Sequence, residues 1–288
     1  MTTITTVPRA APVSAPVAVP QASRWRTAFA TLSRRRFALS AHTPREILVP
    51  LLTPILFADV IAPALAVSIG SFGGLDYVSY VAIGTVGLLV PLSCVLGGVG
   101  LIVDRESGGQ RDLLAAPIPR SLIVFGNLSV AVVIGSLQVI ALIGAARLRG
   151  ATFDTSPTRV LWFLGATLGL AVAMHAVAEI LTSRIPTQEE YVGAAPPIAL
   201  VPWFFAGSFF RINTMPAGLT VLAKLLPLTH ALAVMRYAMV DRNASGLRDI
   251  WGMQNVTVMA ALSMAVVVLF AVVMLAVALR SFRRAAVQ

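Results

Sequence analysis

Six long apolar stretches constrain this chain more than any other feature. They cover residues 47–69, 80–103, 121–145, 160–181, 193–210 and 256–279, nearly half of the 288 residues. A helix rises 1.5 Å per residue, so about 20 apolar residues cross a hydrocarbon layer of ~30 Å. A water-soluble domain carries about 25% charged residues, whereas this chain carries 12%, with 57% hydrophobic residues and a mean hydropathy of +0.85. A soluble enzyme is therefore excluded. So is a disordered chain, which needs low hydrophobicity. The expected fold is an all-α membrane protein with six transmembrane helices.

The remaining charge is lopsided. The net charge is +10, and Lys224 is the only lysine among 22 basic residues. In a membrane protein such an excess reads as orientation and contact with anionic lipid head groups, not as nucleic-acid binding. With the N-terminus inside, the inner segments hold 14 Lys and Arg residues and the outer ones 8. The 146–159 loop, with Arg147, Arg149 and Arg159, runs against that bias. The expectation is a multi-pass protein of the plasma membrane with both termini cytoplasmic. A Walker A loop needs Gly-x-x-x-x-Gly-Lys-Ser/Thr, and Lys224 follows Leu222-Ala223. The chain has no P-loop with which to bind ATP. Its single cysteine, Cys94, allows neither an intrachain disulfide nor a cysteine metal site.

Residues 1–22, with Pro8, Pro12, Pro16 and Pro20, read as a disordered cytoplasmic tail, because proline every four residues prevents a signal-peptide helix. The transmembrane domain is expected over residues 23–284, with 285–288 as a short cytoplasmic tail. Between residues 23 and 39, Trp25, Phe29 and Leu32 fall on one helical face among Arg24, Arg26, Arg34, Arg35 and Arg36. This is the pattern of an interfacial helix with its arginines on phosphates; a solvated basic linker is the alternative. Residues 211–255 are too apolar for an outside loop. Pro216 and Pro227 divide them into pieces too short to span, and each proline suits a helix start. The expectation is a re-entrant hairpin in the outer leaflet. A seventh span competes with it but would push Arg280, Arg283 and Arg284 outside.

Chemistry is sparse. Loop 104–120 holds six charges, is interrupted by Gly108-Gly109 and stopped by Pro117, and suits a two-turn helix presenting Leu113 and Leu114 beside Arg111 and Asp112. It is either a solvated connector or a docking knob. Asp59, His175 and Glu179 are the ionisable groups within the spans, and such groups default to functional suspects. His175 and Glu179 are four apart on one helical face, a structural polar pair or a proton relay. Two ligands on one helix are too few for a metal. Asp59 lies among Pro50, Pro54 and Pro63, where it would satisfy backbone N–H groups freed by kinks. Ser208 lacks the surroundings of a nucleophile.

Two motifs carry a resemblance. Asp104-Arg105-Glu106-x-Gly108, with Leu113-Leu114, Pro117 and Pro119-Arg120 following, is similar to the loop after the second span in the membrane subunit of ABC-2 type exporters. Met215-Pro216 and, after ten intervening residues, Pro227-Leu228-Thr229-His230, then Arg236, resemble that family's signature before the last span. The group includes drug-resistance, nodulation and polysaccharide exporters. Ser107 and Gly109 depart from its loop pattern. The resemblance implies a permease that pairs with a second permease subunit, identical or related, each served by a separate ABC ATP-binding subunit. ATP and Mg would sit on that partner; this chain would bind no cofactor and would not itself be an enzyme.

The resemblance also implies roles. Arg105, Glu106, Gly108, Arg111, Asp112, Leu113, Leu114 and Pro117 would form a cytoplasmic coupling helix, beside an N-terminal connecting helix. Met215, Pro216, Pro227, His230 and Arg236 would close an extracellular gate, although His230 and Arg236 equally suit pinning the hairpin. Spans two and five would line the substrate path, offering Thr85, Ser93, Trp203, Phe204 and Phe205. A path without fixed charge suits lipophilic or amphiphilic cargo, drug or lipid-like, exported by alternating access. The competing readings are a proton-coupled secondary transporter using Asp59, His175 and Glu179, export of a lipid-linked polysaccharide, and a non-transporting anchor.

Overall fold

The computed structural model of the chain describes residues 21–42 and 76–285, with scattered positions between 48 and 64. The tail expected over 1–22 and the first span, 47–69, lie largely outside the described residues. The described residues form helices and turns and no strand. In chain order they are α1 (Gln21–His42), α2 (Tyr77–Leu96), α3 (Val99–Glu106), α4 (Gly109–Ala115), α5 (Arg120–Leu148), α6 (Pro157–Thr182) and α7 (Gln188–Phe205). A 3-10 turn (Ile212–Thr214) leads into α8 (Ala217–Leu225), α9 (Pro227–Met239), α10 (Ser245–Trp251) and α11 (Val256–Ala285).

Four segments among these are long and apolar enough to cross a membrane: Tyr77–Glu106, Arg120–Leu148, Pro157–Thr182 and Val256–Phe282. They coincide with the second, third, fourth and sixth expected spans. Counting the bent pair α8–α9 as one span makes five. The fifth expected span, 193–210, differs in position. Helix α7 starts at Gln188, where Thr187 accepts a hydrogen bond from the Glu190 N–H and two acids occupy the first turn, a favourable helix start. It stops at Phe205, just before Gly207 turns the chain at φ +79°. Its polar first turn and three internal prolines keep its apolar content below that of the four, although it runs along α2 from Tyr191 on Val95 O to Trp203 on Gly84 O.

Helix α2 is the centre of the bundle, packed by α5, α6, α7 and α9, and every residue from Tyr80 to Leu92 is buried. Small residues allow this approach, as they do between membrane helices generally. A Cβ at Gly87 would stand 2.5 Å from Leu232 Cδ2 of α9, and one at Gly84 would collide with Ser208 O. The α2–α3 segment breaks at Gly97-Gly98, and the break frees main-chain carbonyls that lipid cannot satisfy. Tyr191 Oη of α7 donates to Val95 O (2.6 Å), and Arg36 Nη2 of α1 donates to Gly97 O (3.0 Å). The arginines at 35 and 36, expected on lipid phosphates, are instead tied into the protein.

Helix α1 lies along α5, with the Ser33 and Ser129 hydroxyls 2.9 Å apart. Helices α5 and α11 face outward over much of their length, exposing Leu137, Ile140, Leu269 and Val272. That is the apolar surface a bundle offers to lipid.

Candidate functional site

Loop 104–120 folds as the two-turn helix its breakers predict. Gly108 sits at φ +82° in open space, which only glycine adopts freely, and α4 runs from Gly109 to Ala115 with no residue fully buried. Arg111 and Asp112 are exposed; Leu113 and Leu114 are half-buried. The residues just before α4 are anchored. Arg35 straddles the Asp104 carboxylate at 3.1 and 3.2 Å, and Arg36 Nη1 approaches it at 3.8 Å. Arg105 donates to three carbonyls at the end of α6 and beyond, Thr182 O (2.5 Å), Ile185 O (2.8 Å) and Pro186 O (2.7 Å). Thr182 O is one of the carbonyls a helix C-terminus leaves unpaired, and the other two belong to the turn that follows. Glu106 accepts from the Gln188 N–H at 3.3 Å. Arg105 and Glu106 thus grip the α6–α7 turn, while Arg111 and Asp112 face outward.

Behind α4 opens a cavity of about 370 Å³, reaching from Arg111 and Leu114 to Asn127 and Glu179. Glu179 is buried, accepts from Asn127 Nδ2 at 3.3 Å, and has His175 Nε2 3.5 Å from the same oxygen. Deeper between α2 and α5, Ser93 donates to Gln138 Oε1 at 2.6 Å. Gln138 and Asn127 escaped the sequence reading because a single amide in an apolar stretch gives no spacing signal. Asp59 lies 3.8 Å from Arg149, whereas the sequence had assigned it to backbone groups.

The opposite end of α2 is closed. Arg236 of α9 is buried and donates to Gly207 O (2.8 Å) and Ser208 O (2.7 Å), with its guanidinium 3.5 Å over the Tyr80 ring. Tyr80 Oη also donates to Gly207 O (3.1 Å). A neighbouring ion pair joins Arg211 to Asp249, to which Asn213 donates as well. His230 Nε2 lies 2.9 Å from Lys224 O, at the 81° bend between α8 and α9, and Nδ1 lies 3.2 Å from Ser263 Oγ of α11. Because a carbonyl only accepts, Nε2 carries the proton, and the Ser263 hydroxyl donates to Nδ1 while accepting from Trp251 Nε1 (2.8 Å). Pro216 and Pro227 stand where expected, at the starts of α8 and α9. Tyr80, Gly207 and Asp249 were not singled out in the sequence, since their roles depend on contacts 29 to 156 residues away in the chain.

The residues expected along a substrate path separate into three places. Thr85 is buried and bonded to Ala82 O within its own helix, and Trp203 is buried with Nε1 on Gly84 O (2.7 Å). Phe204, Phe205, Met215 and Pro216 instead line an open apolar groove of about 480 Å³ beside α8. Ser93 borders a small cavity near His175.

A helical bundle with several membrane-length apolar helices, a buried central helix and one short exposed helix is the build of a multi-pass membrane protein. A model of the ABC-2 type transporter family matches residues 27–240, and the chain belongs to that family. It is 25% identical over 185 residues to nodulation protein J of Sinorhizobium fredii, covering 64% of this chain and 70% of that one. To nodulation protein J of Rhizobium meliloti it is 23% identical over 197 residues, 68% and 74% of the two chains. To the putative transport permease ycf38 of Porphyra purpurea it is 28% identical over 141 residues, 49% and 48%. The chain is thus a membrane protein of a transport permease family.

Proposed function

We propose that the chain is the permease subunit of an ATP-driven exporter that moves a lipophilic or amphiphilic substrate out of the cytoplasm or inner leaflet by alternating access. It pairs with a second permease and takes its energy from a separate ABC ATP-binding subunit, with both termini cytoplasmic. Helix α4 carries this reading. It is an exposed two-turn helix, hung between Gly108 and Pro117, whose base is clamped to α1 through Asp104 and to the α6–α7 turn through Arg105 and Glu106. A push on α4 is therefore delivered to three elements at once. The missing Walker A loop agrees with an ATPase on another chain. The orientation rests on the Lys and Arg count, and most of the outer arginines are engaged within the protein. Arg149 and Arg159 face Asp59 and Asp154, Arg211 faces Asp249, and Arg236 is buried.

Co-purification with the ATP-binding subunit, followed by substrate-stimulated ATP hydrolysis, tests the reading. Replacing Glu106 with Ala, or deleting Gly108 and Gly109, leaves membrane insertion intact and uncouples hydrolysis from export. Normal export in those variants sinks the role given to α4. The buried His175–Glu179 pair is what favours the competing proton-coupled transporter. Uptake driven by a pH gradient in proteoliposomes without any ATPase would select it.

A further inference from the structure

We infer that the cavity behind α4 is a binding site for an amphiphilic organic amine, held as its protonated ammonium by Glu179. The site lies within a single copy of the chain, under the short helix, so the inference does not rest on a path between paired permeases or on an ATPase. The volume, about 370 Å³, falls within the range of drug-sized sites, roughly 300–1,000 Å³. One side is apolar, formed by Leu101, Leu113, Leu114, Ile123 and Phe282. The other ends on a carboxyl group whose side chain is only 4% exposed.

Charge decides the ligand class. The other acid of the cavity, Asp104, is shared by Arg35 and Arg36, and Arg105 is engaged by three carbonyls. Arg111 is exposed on α4. Among the described residues Glu179 is the buried charged group of the cavity with no Lys or Arg in ion-pair contact, whereas Arg111 lines its outer part. Its two neighbours, Asn127 Nδ2 and His175 Nε2, both approach Oε1. A buried carboxyl group of this kind is costly unless it is paired, and an N–H donor bearing positive charge is the partner that its acceptor oxygens recognise. An anionic ligand would meet that carboxyl head-on. His175 adds a second, independent observation. Its side chain is 5% exposed, both ring nitrogens lack a hydrogen bond, and it borders a smaller cavity of about 40 Å³ that shares Leu101 and Asn127 with the first. The polar region at the depth of the site therefore has donor and acceptor capacity that the protein leaves unused.

Dansylcadaverine, a primary amine on an apolar fluorophore, is a suitable probe. The full chain in lipid nanodiscs is titrated with it, and the emission shift is compared with that in empty nanodiscs. The expected result is saturable binding that weakens at least tenfold in Glu179→Gln and in the N-acetylated, uncharged probe. Leu113→Trp, on the exposed helix, fills the apolar side and also weakens binding at least tenfold, which keeps the test decisive if Glu179→Gln fails to fold. No saturable binding overturns the inference. So does equal affinity for the acetylated probe, or unchanged affinity in both variants. ATP-coupled export that persists alongside such a failure leaves the exporter reading standing, and binding without any coupled ATPase separates the two in the other direction.

Discussion

At one end of α2, Arg236 is sealed among two carbonyls and the Tyr80 ring, and the cavity beside it is only about 20 Å³. At the other end, Arg35, Arg36 and Arg105 hold a broken helix around a space of about 370 Å³. Both ends use arginine, but the first attachment is a single buried guanidinium, while the second is shared among three, of which Arg36 is buried and Arg35 and Arg105 are partly exposed. Water can reach Pro186 O, where Arg105 makes an exposed contact; it cannot reach Gly207 O and Ser208 O behind Arg236. The α9 end is thus the more tightly held of the two. The α3–α4 end is built of contacts that can be exchanged.

The largest expected effect tests the sealed end. Arg236→Gln leaves Ser208 O without its charged donor and weakens the hold on Gly207 O, at a cost of roughly 3–5 kcal/mol for buried acceptors that lose charge-assisted bonds. Thermal unfolding of the full chain in nanodiscs reads this. Arg236→Lys should not restore it, because an ammonium has neither the forked donors nor the flat face that stacks on Tyr80. Next comes Gly84→Ala, whose new methyl meets Ser208 O and should cost about 1–3 kcal/mol by overpacking. At the partly exposed end Arg105→Gln should cost less, about 1–2 kcal/mol, since one of the three carbonyls it abandons, Pro186 O, is exposed and the other two are only partly buried. If Arg105→Gln proves as costly as Arg236→Gln, the contrast between the ends fails.

The smallest effect concerns the loop leading into α6. Asp154 accepts from the Ser156 N–H (3.0 Å) and faces Arg159 at 3.3 Å, and these hold its carboxyl below the ordinary aspartate value. A depressed folded value stabilises above the unfolded pKa of about 3.9 and is lost as pH falls through the folded value. The melting temperature of the wild type should therefore approach that of Asp154→Asn only in strong acid. Parallel pH profiles for the two would contradict it.

The helix breakers were legible in the sequence. Gly108 and Pro117 bound α4, and Pro216 and Pro227 open α8 and α9, because a left-handed φ and a missing N–H act locally. The two halves of the hairpin were not distinguishable. Both read as apolar, yet Leu225 of α8 is 73% exposed while almost all of α9 is buried. Nothing in either segment shows that Gly84 and Gly87 of α2 have made room for one and not the other. The site was half legible for the same reason. His175 and Glu179 stand four apart and announce themselves, but Asn127, which completes them, is separated from Glu179 by 52 residues.

Helicity, residence in a membrane and the short helix between the second and third apolar stretches could all be read from the residues alone. Those properties follow from segment length, apolar content and local backbone rules. What each arginine does emerges on folding. Arg35, Arg36, Arg105 and Arg236 are the same residue type in similar basic or apolar company. A guanidinium takes its role from the carbonyl, carboxylate or aromatic face it meets, and folding alone brings those groups within 4 Å.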